Sequence, residues 1–472
     1  MADTPTTEAK GLGSAARPLT VAIVGSGPAG FYAAEHLLRQ SLSVRVDLLE
    51  RLPVPFGLVR FGVAPDHQRI KQAARAFERT AQHPGFRFFG NVDVGRDVTH
   101  AELLEHYDQV LYSVGSAADR RLGIPGEDLA GSHSATSFVG WYNGHPDFRC
   151  DPFDLGCERA IVVGMGNVAL DVARVLVRDP EELGETDITS YALQALRESR
   201  VREVVVLGRR GPAQAAFDLS ELQDIVGLKG VSVRVRREEI APALDLPDLD
   251  STKRKLVEFL MQLAETAPPA SERRVSLRFC VSPVEVLGKD GRVDAVRLEQ
   301  NDLERASDGS TRARPSGRFD VEPAGLIFRS IGYRGIALPG LPFDERNGII
   351  PNAGGRVTDG PNGPVCERVY VAGWIKRGPT GLIGTNKADA KDTVAKMLED
   401  LPALDPNRAA PGIEATLQRR GVRAVSFAEW QILDELERRA GQRSGKLREK
   451  FCSVADMLGA LADALPKASA KG

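Results

Sequence analysis

The run LTVAIVGSGPAG, residues 19–30, joins a nearly all-apolar stretch to glycines at 25, 27 and 30. Residues 19–24 are apolar except for Thr20, as a buried parallel strand requires. Ala29 to Leu38 then continues with helical spacing. A GxGxxG turn between such a strand and helix lets the backbone approach a pyrophosphate, whose charge meets the first helical N–H groups. Glu50 lies twenty residues beyond Gly30, at the end of the strand candidate VRVDLLE, residues 44–50. A carboxylate there accepts from both hydroxyls of an adenosine ribose. An ordinary glycine-bearing turn needs none of this, and the four features together argue against it.

The unit recurs in CERAIVVGMGNVALDVARVLV, residues 157–177. Gly164 and Gly166 open the turn, and Ala169 stands at the third position, which serves close helix–strand packing and tolerates alanine. The strand candidate at 203–207 comes late, after the insertion RDPEELGETDITSYALQALRESR. It ends on Gly208, Arg209 and Arg210, with no acid in the ribose position. An acid there would repel a 2′-phosphate, whereas arginines offer forks of donors to it. The second turn is thus expected to take NADP(H), and the first a dinucleotide with a free ribose. Two dinucleotide sites in one chain suggest electron traffic, usually between FAD and a nicotinamide.

The chain has 472 residues, room for two or three cored domains, and 42% of them are hydrophobic. Its 62 basic and 64 acidic residues nearly cancel, which carries no nucleic-acid signature. No apolar run approaches the length of a membrane span. The five cysteines form no CxxC pair, and their odd number points to a reducing, cytoplasmic setting rather than a secreted disulfide scaffold. Residues 1–18 lack a signal-peptide core and read as a flexible tail.

Longer stretches carry a resemblance: VAIVGSGPAGFYAA, PVPFGLVRFGVAPDHQRIK, FRFFGNVDVG, IPGEDLAGSHSATSFVGWYNGHPD, VVGMGNVALDVAR, VVVLGRRGPAQAAF, SIGYRG and VYVAGWIKRGPTGLIGTNKADA. In these, in this order, the chain resembles the NADPH–ferredoxin reductases of the adrenodoxin-reductase type, FAD enzymes of the wider glutathione-reductase-like fold group. The resemblance implies an α/β fold of two Rossmann-like dinucleotide-binding domains, with the NADP domain inserted in a discontinuous FAD domain. It implies FAD pyrophosphate binding at Gly25, Gly27, Pro28, Ala29 and Gly30, and ribose binding at Glu50. PVPFGLVRFGVAPDH would run beside the flavin, supplying Leu58, Arg60 and His67. His67 would join a proton network with an acid, Glu221. The NADP turn maps to Gly164, Gly166, Asn167 and Val168, and the 2′-phosphate clamp to Arg209 and Arg210. Trp374 and the turn Gly381, Leu382 and Ile383 would return to the flavin. The partner is expected to be an acidic ferredoxin or adrenodoxin-like iron–sulfur protein. Lys376, Arg377 and Lys387 would belong to a basic face for it or would face the cofactors.

Plainer readings stand beside these. A lone histidine is more often structural, and Asp66 before His67 could cap a helix over QRIKQAARAF, where Ile70, Ala73, Ala74 and Phe77 share a face. The other six histidines show no metal-ligand spacing, so no metal is expected. Cys150 and Cys157 are read as unrelated thiols. A flavoprotein subunit feeding glutamate synthesis usually brings clustered cysteines, missing here, and a dinucleotide sensor would need no transfer between two sites. The domain layout expected is FAD-binding over 19–117 and 333–466, NADP-binding over 118–332, and loose ends at 1–18 and 467–472. SLRFCVSPVEVLGKDGRVDAVRLEQ reads as hairpin-like, turning at Lys289–Asp290–Gly291. Helices are expected over 411–419 and 427–439, packed on the FAD domain.

Overall fold

The computed structural model describes residues 11–246, 249–267, 270–307, 309–406, 408 and 411–465. Most of the two expected loose ends, residues 1–10 and 467–472, lies outside these. Residues 11–18 are anchored: Arg17 makes two hydrogen bonds to the buried carboxylate of Asp108, at 3.0 and 2.6 Å.

Two sheets carry the fold. The first has seven strands in the spatial order Asn352–Ala353, Arg356–Thr358, Val365–Val371, Gln109–Tyr112, Leu19–Val24, Val44–Glu50 and Phe86–Gly90. Its last five strands are parallel and its first two form an antiparallel edge. The second is wholly parallel, in the order Ser132–Ser134, Leu326–Arg329, Arg159–Val163, Glu203–Leu207, Arg273–Arg278 and Val231–Val235. The first sheet draws strands from both ends of the chain, so one Rossmann-like half is inserted in the other. The chain leaves and returns through a two-stranded ribbon, in which Ala118 and Asp119 pair antiparallel with Arg334 and Tyr333.

The sequence mislays one strand partner. SLRFC is no part of a hairpin: Arg273–Arg278 pairs in parallel with Glu203–Leu207 and Val231–Val235. The hairpin begins at Val281–Lys289, which pairs with Arg292–Arg305. Its turn has φ +52° at Asp290 and +77° at Gly291, and two positive φ angles match the right-handed twist of the flanking strands. A third strand, Thr311–Pro323, completes this antiparallel layer.

The C-terminal helix Phe427–Arg443 packs on the first sheet. Trp430 sits edge-on to Phe56, with ring centroids 5.0 Å apart, and Phe56 belongs to an aromatic cluster with Phe31 and Phe77. Ser426 and Glu429 form a reciprocal capping box at its start. Ser453 caps the last helix, Val454–Ala464, by accepting from the Asp456 N–H at 3.0 Å. Among the described residues no helix is long and apolar enough to cross a membrane. All five cysteines are free thiols.

Candidate functional site

Both glycine turns open on a glycine with positive φ and continue through an extended one. Gly25 and Gly164 have φ +100° and +134°, which favours glycine strongly. A Cβ there would lie 2.7 Å from the Ser113 carbonyl oxygen or 2.1 Å from that of Ser330, each just past a neighbouring strand. The middle glycines differ: a Cβ on Gly27 or Gly166 meets no other group within 4 Å, so each turn presents an open cradle. The helices Pro28–Leu38 and Asn167–Val177 begin at these glycines with no side-chain cap. Their first N–H groups are therefore left for an anion. A Cβ on Gly30 would come within 2.2 Å of the Gly25 carbonyl, whereas Ala169 fits fully buried at the equivalent place.

Glu50 reaches back to the first turn. Ser26 donates its N–H at 3.0 Å and its hydroxyl at 2.6 Å to Glu50 Oε2, and the Leu52 N–H donates to Oε1 at 3.2 Å. Residues 53–61 lie along the same turn. The Phe56 N–H donates to the Ser26 carbonyl at 3.1 Å, and Gly57 comes so close to Gly27 that a Cβ on it would lie 3.1 Å from that Cα. Leu58 is left exposed on this segment. Arg60 points elsewhere, to a 2.5 Å ion pair with buried Glu437.

The later segment closes on this turn. A Cβ on Gly373 would fall 2.7 Å from the Ala29 Cβ, which explains a glycine ahead of Trp374. Trp374 lies in a short helix, Trp374–Arg377, 5.3 Å from the ring of Tyr333. Its indole N–H is buried without a hydrogen-bond partner. Such an orphaned donor beside an open glycine cradle fits a polar atom of a bound dinucleotide. Leu382 and Ile383 follow Gly381, whose φ is +78°, and Leu382 is highly exposed. The Leu382 N–H donates to Thr385 Oγ1 at 3.1 Å and so has a partner within the chain. Lys376 and Arg377 turn inward, Lys376 to Asp389 at 3.0 Å and Arg377 to Asn386 at 2.8 Å.

At the second turn, Asn167 Oδ1 accepts the Asp218 N–H at 2.9 Å, and its side-chain amide donates to the Asp218 carboxylate at 3.1 Å. Val168 follows, partly buried. Arg209 and Arg210 leave the end of the strand Glu203–Leu207. Among the described residues no carboxylate forms an ion pair with either guanidinium. Asn301, from the antiparallel layer, donates to the Arg209 carbonyl at 2.9 Å and fixes its backbone.

A cluster of charge joins the segment at Asp66 and His67 to the helices Asn167–Val177 and Leu219–Val226. His67 Nε2 is 3.6 Å from Glu221 Oε2 and 3.7 Å from Asp224 Oδ2. Arg174 is wholly buried and its guanidinium is shared by three carboxylates: Asp66 at 2.7 Å, Asp171 at 2.7 Å and Glu221 at 3.3 Å. Asp66 therefore does not cap the following helix. It is held by Arg174 and by Arg178 at 2.9 Å, and the expected helix is two pieces, Gln68–Lys71 and Ala74–Ala81. Burial would raise the Asp66 pKa, but the two arginines outweigh it and bring it down to about 2. Burial pushes Glu221 and Asp171 up, with mutual repulsion between Asp171 and Glu221 adding to the Glu221 shift. The ligand atoms of His67, Asp171 and Glu221 all lie within 4.8 Å of one another. Arg174 already supplies positive charge to two of them, which opposes a divalent cation there. Asp171 and Arg174 were not among the expected site residues. Their signal was two charged side chains in the otherwise apolar run VALDVARVLV.

Comparison with known proteins agrees with this architecture. Residues 19–234 match the pyridine nucleotide-disulphide oxidoreductase family. The chain is 46% identical over 457 residues to the NADPH-ferredoxin reductase FprA of Mycobacterium tuberculosis, covering 94% of this chain and 99% of that one. It is 44% identical to a mitochondrial NADPH:adrenodoxin oxidoreductase of Salvelinus fontinalis, over 93% of this chain and 90% of the other. The solved structure of M. tuberculosis FprA in complex with NADPH superposes with a TM-score of 0.88 at 45% identity, covering 94% of this chain and all of that one. The chain belongs to the NADPH–ferredoxin reductases of the adrenodoxin-reductase type and is an oxidoreductase of that family.

Proposed function

We propose that the chain moves electrons between NADPH and a one-electron iron–sulfur carrier by way of bound FAD. The observation that carries this is the contrast between two open glycine cradles. One is faced by Glu50, and the other is followed by two arginines that pair with no carboxylate among the described residues. FAD belongs in the first, its pyrophosphate on Gly25, Gly27, Pro28, Ala29 and Gly30 and its ribose on Glu50. Leu58, Trp374 and Gly381 to Ile383 border the flavin. NADP(H) belongs in the second, with Gly164, Gly166, Asn167 and Val168 at the pyrophosphate and Arg209 and Arg210 at the 2′-phosphate. The FAD-binding part comprises 19–117 and 333–466, and the NADP-binding part 118–332. The ribbon pairing 118–119 with 333–334 supports that division.

When bound, the flavin supplies hydride acceptance at N5 and stepwise release of single electrons. The chain supplies approach and charge. Hydride transfer needs reacting atoms about 3–3.5 Å apart, so the two halves must be held in register. Arg174 does so by joining Asp66 of one half to Asp171 and Glu221 of the other. His67 Nε2 faces Glu221 at 3.6 Å and exposed Asp224 at 3.7 Å, a placement suited to relaying a proton between the site and solvent water. The partner is a ferredoxin or adrenodoxin-like protein, and the setting is cytoplasmic. FprA, named as an NADPH-ferredoxin reductase, supports the carrier class.

Stopped-flow mixing of the purified yellow protein with NADPH or NADH tests the reading. Flavin absorbance should bleach much faster with NADPH and recover on adding an oxidised ferredoxin. A colourless protein that takes up no FAD, or a flavin that NADPH cannot reduce, overturns it; the second result would fit a dinucleotide sensor.

A further inference from the structure

The insertion between the helix Asn167–Val177 and the strand Glu203–Leu207 is longer than a nucleotide-binding unit needs. It folds as two short helices, Pro180–Gly184 and Ser190–Arg197. The stretch between them is driven inward: Asp187 is 5% exposed, and Ile188 and Thr189 are fully buried.

Asp187 meets the segment that carries His67. Its Oδ1 accepts from Gln68 Nε2 at 3.1 Å, and its two oxygens accept from Lys71 Nζ at 2.8 and 2.7 Å. Gln68 and Lys71 are the first and last residues of the one-turn helix Gln68–Lys71, for which His67 is the N-terminal flanking residue. On the other side of His67, Asp66 is held by Arg174 and Arg178. The histidine is thus gripped through both neighbours by residues of the inserted half. A third part of the chain joins in. Lys450 Nζ lies 2.9 Å from Asp187 Oδ2, and Asn143 Oδ1 accepts from Lys71 and Lys450 at 3.2 and 3.4 Å. Glu449 accepts from the Ser190 hydroxyl at 2.6 Å.

Two ammonium groups share one carboxylate in a buried place. Such clusters are poor sources of net stability, since desolvation offsets the Coulomb gain, but they are strict about geometry. Burial pushes both lysines down, Lys450 to about 7, against the pull of Asp187. Apolar packing would hold two surfaces together without setting the rotation of the turn. Directional bonds donated by Gln68 to one Asp187 oxygen and by the Lys71 ammonium to both do set it.

We propose that Asp187 is a positioning residue for the electron-transfer reaction: by holding Gln68 and Lys71 it fixes His67 against Glu221 and Asp224. The inference rests on the role given to His67 above. Around that histidine the charged groups are Asp66 on its own segment, Asp171 and Arg174 on the helix Asn167–Val177, and Glu221 and Asp224 on the helix Leu219–Val226.

The test uses Asp187→Asn in the full chain, with Asp187→Glu as the conservative variant. Asp187→Asn should raise amide hydrogen exchange across residues 66–71, in FAD-loaded and FAD-free protein alike. In stopped flow it should lower the limiting rate of flavin reduction by NADPH about tenfold or more, as a misplaced reacting group does, with the Kd for NADPH unchanged. Asp187→Glu should restore part of the rate. Should Asp187→Asn fail to fold, the triple variant Lys71→Met, Asp187→Leu, Lys450→Met removes every charge and should show the same loss of rate. Unchanged exchange at 66–71, or faster exchange with an unchanged rate, overturns the proposal. His67→Gln separates the two layers. A slow His67→Gln beside a normal Asp187→Asn places the failure on Asp187, and a normal rate in both places it on the reading of His67.

Discussion

Ser26 and Glu50 are joined across the mouth of the first glycine turn, the serine giving both its N–H and its hydroxyl to one carboxylate oxygen. With the Leu52 N–H on the other oxygen, three donors fix the acid before any ligand arrives. A fixed carboxylate accepts ribose hydroxyls with little further loss of side-chain freedom. Glu50→Ala should therefore weaken FAD binding by about tenfold to a hundredfold, the worth of hydrogen bonds to a charged group. Ser26→Ala, which leaves the carboxylate in place but less constrained, should have a smaller effect. Fluorescence titration of FAD into the FAD-free variants measures both.

The glycines of the two turns should respond differently to a single methyl group. Gly27→Ala and Gly166→Ala place a Cβ in open space. Both should fold normally, yet the methyl occupies the cradle. Gly27→Ala should come off purification depleted of flavin, whereas Gly166→Ala should retain flavin and bind NADP(H) poorly. Gly30→Ala is of another kind, because its Cβ would fall 2.2 Å from a backbone oxygen. That clash is with rigid structure, and soluble yield or thermal midpoint should drop. Flavin content, NADP affinity and thermal melts on the three variants distinguish the cases.

Arg209 and Arg210 end their strand without acidic partners among the described residues, and Asn301 steadies the Arg209 backbone. Replacing both with glutamine should raise the KM for NADPH by about tenfold to a hundredfold, the range of lost charge-assisted bonds. The KM for NADH, which lacks the 2′-phosphate, should barely move. Equal changes for both nucleotides would place the arginines outside the phosphate contact. The NADPH effect should also shrink at high salt, because exposed charges are screened.

What could be read in the sequence was local. A glycine turn, the acid twenty residues on and the arginines after a strand are each set by chemistry within one supersecondary unit, so residues 19–50 and 164–210 announce themselves. The rest depended on partners far along the chain. Asp66 looked like a helix cap because the next residues are helical, yet its partner Arg174 is 108 positions away. Lys71 and Asp187 are 116 apart. Strand Arg273–Arg278 sits next to a hairpin in sequence but pairs with Glu203–Leu207, a choice made by the sheet and not by the turn. Only the oddity of a buried Asp and Arg in an apolar helix, at 171 and 174, hinted at the charge cluster.

Two histidines outside the site should contribute to the acid limb of stability. His133 lies between Phe153 and Phe328, at 4.8 and 6.0 Å between ring centroids, and His145 between Phe61 and Phe148, at 4.9 and 5.1 Å. Burial lowers both to about 4; nearby arginines add to this at each, and Asp147 opposes it at His145. The unfolded chain takes up these protons below its ordinary value of about 6.5, while the folded protein refuses them until about 4. The contribution is thus complete above pH 6.5 and is lost as pH falls toward 4, at up to about 1.4 kcal/mol per pH unit for each histidine. Glu221 and Asp171, pushed upward by burial, oppose this trend by binding protons more readily when folded. A single substitution isolates the histidine share. His133→Phe keeps an aromatic ring among aromatic neighbours and removes the proton site. Urea unfolding at pH 7.5, 7, 6, 5 and 4.5 should show a shallower loss of stability for His133→Phe than for the parent chain below pH 6.5, with the two curves parallel above it. Parallel curves through the whole range would mean that His133 is protonated alike in both states.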